Sequence, residues 1–364
     1  MKKALALCFA LLLLLSATGC GSKSAPASSS GEPAGSSGSS TEPATPHTVI
    51  ERLAVEFSRT GADADPAAAN QLAGLLQEYL ADGGVTVNEM AVSFGTSYTA
   101  TAQALEQGGV QLAFLPAEAL VSYGGDAVPL LADAAPSLTR DSSDPRDWNG
   151  ETKPAAGYTA GTRALLCAAP TEYGVNLAGR VASGKALTWD ELDHARWGVL
   201  DSSSDGGYRC ADLWLADHYE GSEISDLSQV ASYGSYEDLL RAAAAGEIDV
   251  FPLRADARMD YADAWTREAT HSDQAGVRGF GREASIWSEI PVLGVTDRLY
   301  STAVAVTAGD AAVNGTLFQA ALQDALQRIA QTRPDLMGTL GAARFAPVSS
   351  GDFDGLRRLV TMEG

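Results

Sequence analysis

Residues 197–215 read W-G-V-L-D-S-S-S-D-G-G-Y-R-C-A-D-L-W-L, and they hold the side chains best suited to meeting a small anion. Residues 197–200 form a short apolar run that predicts a buried strand, and Leu213 and Leu215 mark an amphipathic helix. Between them lie the hydroxyls of Ser202, Ser203 and Ser204 and the pair Gly206 and Gly207. A strand that feeds a helix through such a turn leaves the first helical N–H groups without internal partners. The helix dipole adds partial positive charge at the same spot, so the turn is a receptacle for a small oxyanion. The competing reading is that Ser204 or Asp205 only caps the helix. Catalysis finds less support. The chain has four histidines (His47, His194, His218 and His271), and none sits at metal-ligand spacing from a Cys, Asp or Glu. It carries no G-x-S-x-G, no G-x-x-x-x-G-K-[ST] and no G-x-G-x-x-G after a strand. No cofactor and no metal are expected.

The elements that must hold this turn read as an α/β chain. An alternating strand over 52–57 is followed by Asp65 and Pro66, an N-cap and a first helical residue. Leu72, Leu75, Leu76 and Leu80 line one helix face, closed by Gly83-Gly84. Strands are expected over 85–94 and 110–115, with a helix between them opened by residues 95–97. This β-α-β-α-β order predicts a parallel, doubly wound sheet with ligands at the strands' carboxyl ends. A loop over 134–151 and a strand over 158–167 then lead into a second lobe. There, helices are expected at 173–182 and 188–194, with T-W-D-E as a capping box. The 197–215 unit, a strand at 229–233, a helix at 236–245 and a strand at 248–253 follow. Residues 256–267 should be helical, 291–306 the return strand, 310–331 a long amphipathic helix and 353–360 a short closing one.

Composition bounds the rest. With 364 residues, 45% hydrophobic and 20% charged, the chain can bury two lobes. Its formal charge of −21 argues against nucleic acid and anionic lipid as partners, and suits a ligand that also carries a cationic group. Lys2 and Lys3, an apolar run over 4–15 and then S-A-T-G-C make a secretory signal. The end of that signal resembles a bacterial lipobox, with Cys20 as the lipidated residue. The Ser/Gly/Pro-rich stretch 21–48 reads as a flexible tether. Cys167 and Cys210 remain, as a disulfide or as two buried thiols.

Four segments resemble the phosphate/phosphite/phosphonate substrate-binding proteins of bacterial ABC importers. They are S-Y-T-A-T-A-Q-A-L-E-Q-G-G-V-Q-L-A-F-L-P (97–116), D-S-S-S-D-G-G-Y (201–208), G-S-Y-E-D-L-L-R-A-A-A-A-G-E-I-D-V (234–250) and I-W-S-E-I-P-V-L-G-V-T (286–296). The resemblance implies a two-lobed type II periplasmic binding protein with two doubly wound, mostly parallel sheets joined by a hinge. Lobe 1 would be 49–160 plus 275–364, and lobe 2 161–274. It further implies a monomeric, lipid-anchored extracytoplasmic receptor, not an enzyme, that hands a phosphonate or phosphate-like ligand to a membrane permease. By position, Tyr98 would hydrogen-bond the oxyanion from lobe 1. Ser202, Ser203, Ser204, Gly206, Gly207 and Tyr208 would hold it from lobe 2, and Tyr236 would close over it. Glu237 and Asp249 resemble positions that face an amino group or order the cleft, against the plainer readings of a first-turn acid and a strand-end cap; Glu237 and the negative field favour an aminophosphonate. Arg254 follows the 248–253 strand as a cation for oxyanion recognition or as a balance for Asp256. Three departures stand out: Asp205 adds an acid to the loop, Tyr236 takes a histidine's place, and Tyr123 replaces an aromatic expected after Pro116. Other readings are a receptor for a sulfonate, an organic amine or a vitamin precursor, anchored by Trp287, Tyr208 or Tyr123. Further off are an enzyme that consumes its own histidine and an adhesion lipoprotein.

Overall fold

The computed structural model of the protein describes residues 47–58 and 65–363. Apolar alternation makes β1 (Thr48–Phe57), in which Leu53, Val55 and Phe57 are fully buried. Asp65 accepts from the Ala67 and Ala68 N–H groups and Pro66 lies in the first turn, so α1 (Pro66–Asp82) begins where the sequence places it. β2 (Val85–Phe94) pairs parallel with β1. Ser97 Oγ accepts from the Ala100 N–H and starts α2 (Tyr98–Glu106). β3 (Leu112–Pro116) then pairs parallel on the other flank of β1 and passes into α3 (Ala117–Tyr123). The order β2-β1-β3 sends one crossover to each side of β1, and a switch point opens at the carboxyl ends of β1 and β3.

The next segment departs from the sequence reading. The start of the expected loop is the end of β4 (Val128–Leu138). The single strand expected over 158–167 is two, β5 (Pro154–Ala160) and β6 (Thr162–Ala168), in different sheets. They break at Gly161, where φ is 73°. A Cβ there would sit 2.6 Å from the Tyr300 ring and 2.7 Å from the Leu299 carbonyl oxygen. Apolar periodicity continues across the break and cannot reveal it; only glycine fits the backbone.

The second half repeats the winding of the first. α4 (Glu172–Ala182) and α5 (Trp189–Asp193) precede β7 (Trp197–Val199), and Thr188 with Glu191 forms the expected capping box. α6 (Cys210–His218), β8 (Val230–Ser232), α7 (Tyr236–Ala245) and β9 (Val250–Arg254) follow. β8 and β9 flank β7 in parallel, which reproduces β2-β1-β3. Residues 256–267 form two single-turn helices, α8 (Ala257–Asp260) and α9 (Ala262–Thr266), interrupted at Tyr261.

After α10 (Ile286–Glu289), the expected return strand is again two. β10 (Val292–Leu299) pairs antiparallel with β6, and β11 (Thr302–Val306) inserts between β3 and β4. So β10, which the sequence reading assigned to lobe 1, lies in the second sheet. α11 (Thr316–Thr332) starts later than expected, because the Asn314 side chain donates to the Thr307, Ala308 and Asp310 carbonyls and holds a turn there. α12 (Pro334–Met337), β12 (Phe345–Pro347) and α13 (Asp354–Glu363) complete the chain.

The result is a seven-stranded sheet, β12-β4-β11-β3-β1-β2 with β5 on β4, and a five-stranded sheet, β10-β6-β9-β7-β8. Parallel pairing is confined to the two winding units. The other pairs are antiparallel, because chain that leaves a sheet returns through it. The expected α/β two-sheet organisation therefore stands, with less parallel pairing than "mostly". One apolar cluster runs from α2, α3 and α13 to Cys210 and Leu213 on α6, so the sheets share packing. Cys167 and Cys210 are free, buried thiols, which burial pushes up to about 11 and about 12. Among the described residues there is no metal-capable cluster and no helix long and apolar enough to cross a membrane. Cys20 lies outside the described residues.

Candidate functional site

Each winding unit brings polar residues to its switch point. In the first sheet, Ser58 follows β1, Pro116 ends β3 and Tyr98 opens α2; together they line a cavity of about 150 Å³ that Phe114 and Thr302 help to close. Ser58 is nearly buried, and Tyr98 is 48% exposed with its ring at the rim.

After the second sheet's β7, residues 205–209 are wound more widely than an α-helix. The Tyr208 and Arg209 N–H groups both donate to the Ser204 carbonyl, at 2.9 and 3.0 Å. Such π-type turns recur at functional sites. Ser204 Oγ accepts from the Gly207 N–H at 3.2 Å, which is the capping reading. Ser203 donates its hydroxyl and its N–H to Asp201. That pairing holds the Asp201 carboxyl below the usual range, through the Ser203 side chain first and its backbone second. Ser202 is exposed. In this conformation, therefore, the Gly207 N–H and the Ser203 hydroxyl bond within the turn.

Tyr236 and Arg254 come to the same turn. Burial pushes the Tyr236 hydroxyl above the ordinary tyrosine value, against the opposing influence of the Arg254 charge, the Arg254 backbone and the Ser204 side chain. A Cβ on Gly206 would lie 2.8 Å from that hydroxyl and 3.2 Å from Arg254 Cβ, so the missing side chain is what lets Tyr236 support the turn. Arg254 holds its guanidinium 5.9 Å from the Tyr236 ring centre and pairs with Asp256 and, at 3.1 Å, with Asp260.

The two switch points are joined directly. Arg209 reaches Glu118, in the first turn of α3, at 2.6 Å and Asp205 at 3.0 Å. The sequence reading passed over this bridge, although Arg209 follows the quoted loop and stands four residues after Asp205. Beside it, burial raises the Asp133 carboxyl, Asp205 adds to the rise, and the Thr302 and Ser301 N–H groups oppose it.

Three expected residues lie elsewhere. Tyr208 packs against the apolar cluster between β7, α4 and α6. Glu237 pairs with Arg241 one turn along α7, at 2.6 Å. Asp249 precedes β9, at the opposite end of that strand from Arg254. There it takes two hydrogen bonds from the Arg196 guanidinium, both 2.8 Å, and one of 2.6 Å from Thr171. The structure thus brings together Ser204, Gly206, Gly207, Tyr236 and Arg254, with Tyr98 at the other switch point.

A family model described as "ABC transporter, phosphonate, periplasmic substrate-binding protein" matches residues 62–353. No curated protein matches the chain. Among solved structures, the putative thiamine pyrophosphate transporter Mh-p37 of Mycoplasma hyorhinis is 9% identical, over 86% of this chain and all of that one, with a TM-score of 0.45. Prochlorococcus marinus PhnD1, solved with methylphosphonate, is 12% identical over 85% and 97%, with a TM-score of 0.32. A sulfonate-binding SsuA from Methylobacillus flagellatus is 12% identical over 80% and 72%, at 0.31.

Proposed function

We propose that this chain, which belongs to the family of phosphonate periplasmic substrate-binding proteins of ABC transporters, closes its two switch points on a small oxyanion and delivers it to a membrane permease. The family is one of solute-binding proteins, not of enzymes. The observation that carries the ligand reading is the Arg209–Glu118 contact, which sets the Ser204–Gly207 turn and the Tyr98 cavity at one seam. Opening that seam by hinge motion admits a ligand, and closing it replaces solvent with hydroxyls, amides and guanidinium. A phosphonate or phosphate-like compound fits that donor set. An aminophosphonate also fits the chain's negative field, with Asp205 and Glu118 as partners for its ammonium in place of Glu237 and Asp249. Aromatic stacking is less favoured as the main anchor: Tyr208 is packed into a core and Trp287 lies under the Arg258 guanidinium at 4.9 Å. The chain is further read as a lipoprotein, held by lipid on Cys20.

Isothermal titration against a panel of phosphonates, phosphite and phosphate tests this. One member should bind saturably, and Tyr236→Phe and Ser204→Ala should each weaken it by about 1–3 kcal/mol, as expected for bonds to a charged group. A panel that gives no heat defeats the ligand class.

A further inference from the structure

A second cavity, of about 50 Å³, lies where the chain crosses between sheets. Its walls come from the end of β4, from β5, from the start of β6, and from the ends of β9 and β10. By the usual measure a water needs roughly 10–15 Å³, so the space suits a few waters or one small polyatomic ion. In a chain with 25 basic and 46 acidic residues, three guanidiniums line it: Arg163, Arg254 and Arg298. The acids on the same wall are Asp141 and Asp256, and Asp260, off the wall, pairs with Arg254 as well.

These arginines are held in place, and Arg163 is incompletely satisfied. Arg163 and Arg298 converge on one carboxylate, Asp141, at 3.0 and 2.5 Å. Arg298 also donates to the Ala160 and Gly161 carbonyls at the crossing, and Arg163 to the Ser142 carbonyl. The Arg163 Nε–H is buried with no hydrogen-bond partner. Burial and, next, the charge of Arg298 lower the Arg163 pKa, and Asp141 and Asp297 oppose them. The Ser137 and Thr159 hydroxyls bond each other at 2.7 Å and leave one hydroxyl proton over, and Pro136, Leu138 and Trp148 supply an apolar side. A buried donor without an acceptor is costly, and a guanidinium fork matches oxyanions best of all.

We propose that this crossing cavity is an oxyanion site in its own right, held by Arg163, Arg254 and Arg298, for a small tetrahedral anion such as inorganic phosphate. An anion there ties β6, β9 and β10 of one sheet to β4 and β5 of the other. Its occupancy stiffens the segments about which the halves move. The site shares only Arg254 with the turn above and does not need the transport reading to hold.

Trp148, on the cavity wall, supplies the probe. Inorganic phosphate is titrated into the whole protein with tryptophan emission as readout, beside arms with methylphosphonate and acetate. A saturable change is expected with phosphate and is expected to vanish in Trp148→Phe, although calorimetry still registers phosphate binding by that variant. Arg163→Gln is expected to weaken phosphate at least tenfold, and Arg163→Lys, which keeps the charge and loses the fork, by less. Because Arg163→Gln also loosens Asp141, Ala135→Leu is a second variant: it adds bulk to the cavity wall, removes no guanidinium and should likewise abolish the response. No saturable response, or one unchanged in both Arg163→Gln and Ala135→Leu, overturns the proposal. A response to acetate alone overturns the tetrahedral class. Phosphonate binding that Ser204→Ala removes and Arg163→Gln leaves intact, with no phosphate response at Trp148, keeps the transport reading and overturns this one. A Trp148 response that Arg163→Gln removes, beside a panel insensitive to Ser204→Ala and Tyr236→Phe, does the reverse.

Discussion

Asp249 and Tyr236 were both read as ligand contacts, and their surroundings separate them. Asp249 is nearly buried and receives the Arg196 fork, the Thr171 hydroxyl and the Arg196 N–H. Burial works to raise its pKa, but these bonds together outweigh it, so the carboxyl titrates below its ordinary value. A carboxylate depressed in the folded state contributes stability above its unfolded pKa, roughly 3.9, and that contribution is lost as pH falls through the folded value. Asp249→Asn should therefore cost about 2 kcal/mol at neutral pH and flatten the acid limb of the stability curve, followed by thermal melts from pH 7 to 2. It should leave ligand affinity alone, since the carboxylate faces the amino end of β9. Tyr236 contrasts with it, because its hydroxyl lies against Gly206 in the anion turn.

Among the elements, the crossing strands decide how the halves connect. Gly161 carries β5 into β6 at φ 73°, against the backbone of Leu299 and the ring of Tyr300. Gly161→Ala should destabilise the fold by about 3 kcal/mol, from left-handed strain plus overpacking, measured by chemical denaturation. A cost under 0.5 kcal/mol, the ordinary range for a surface change, would mean that the crossing relaxes freely. The 205–209 turn is the other decisive element. Its wide winding lets the Ser204 carbonyl take two N–H groups and pulls Tyr208 into the core. A sequence pattern that marks only strand, turn and helix cannot distinguish that winding from an α-helical start.

At the scale of the molecule, the Arg209–Glu118 pair spans the seam between the winding units, with Arg209 mostly buried and Glu118 half exposed. An ion pair of that exposure is worth about 0.5–1 kcal/mol. Glu118→Gln should thus shift the population toward open forms and weaken a panel ligand roughly two- to five-fold. Small-angle scattering of the free protein should then show a larger radius of gyration. For membrane attachment, Cys20→Ala should move the protein from the detergent phase to the aqueous phase on partitioning, and retention in detergent would defeat lipid anchoring.

What the sequence by itself determined is local. The caps at Asp65, Ser97 and Thr188, the limits of β2 and α7, and the paired winding units follow from periodicity and capping chemistry, which act within a few residues. The resemblance carried by four short segments also agrees with the family model's match. Only the tertiary structure decided the rest. Gly161 splits one apolar run between two sheets, and residues 291–306 divide in the same way, because the pairing partners of β6, β10 and β11 lie far away along the chain. Arg163 and Arg298, distant in sequence and unremarkable in pattern, meet at one aspartate for the same reason. Glu237 and Asp249 found partners outside the cleft because a nearby arginine satisfies a carboxylate as well as a ligand does, and spacing along a chain does not say which one folding brings closer.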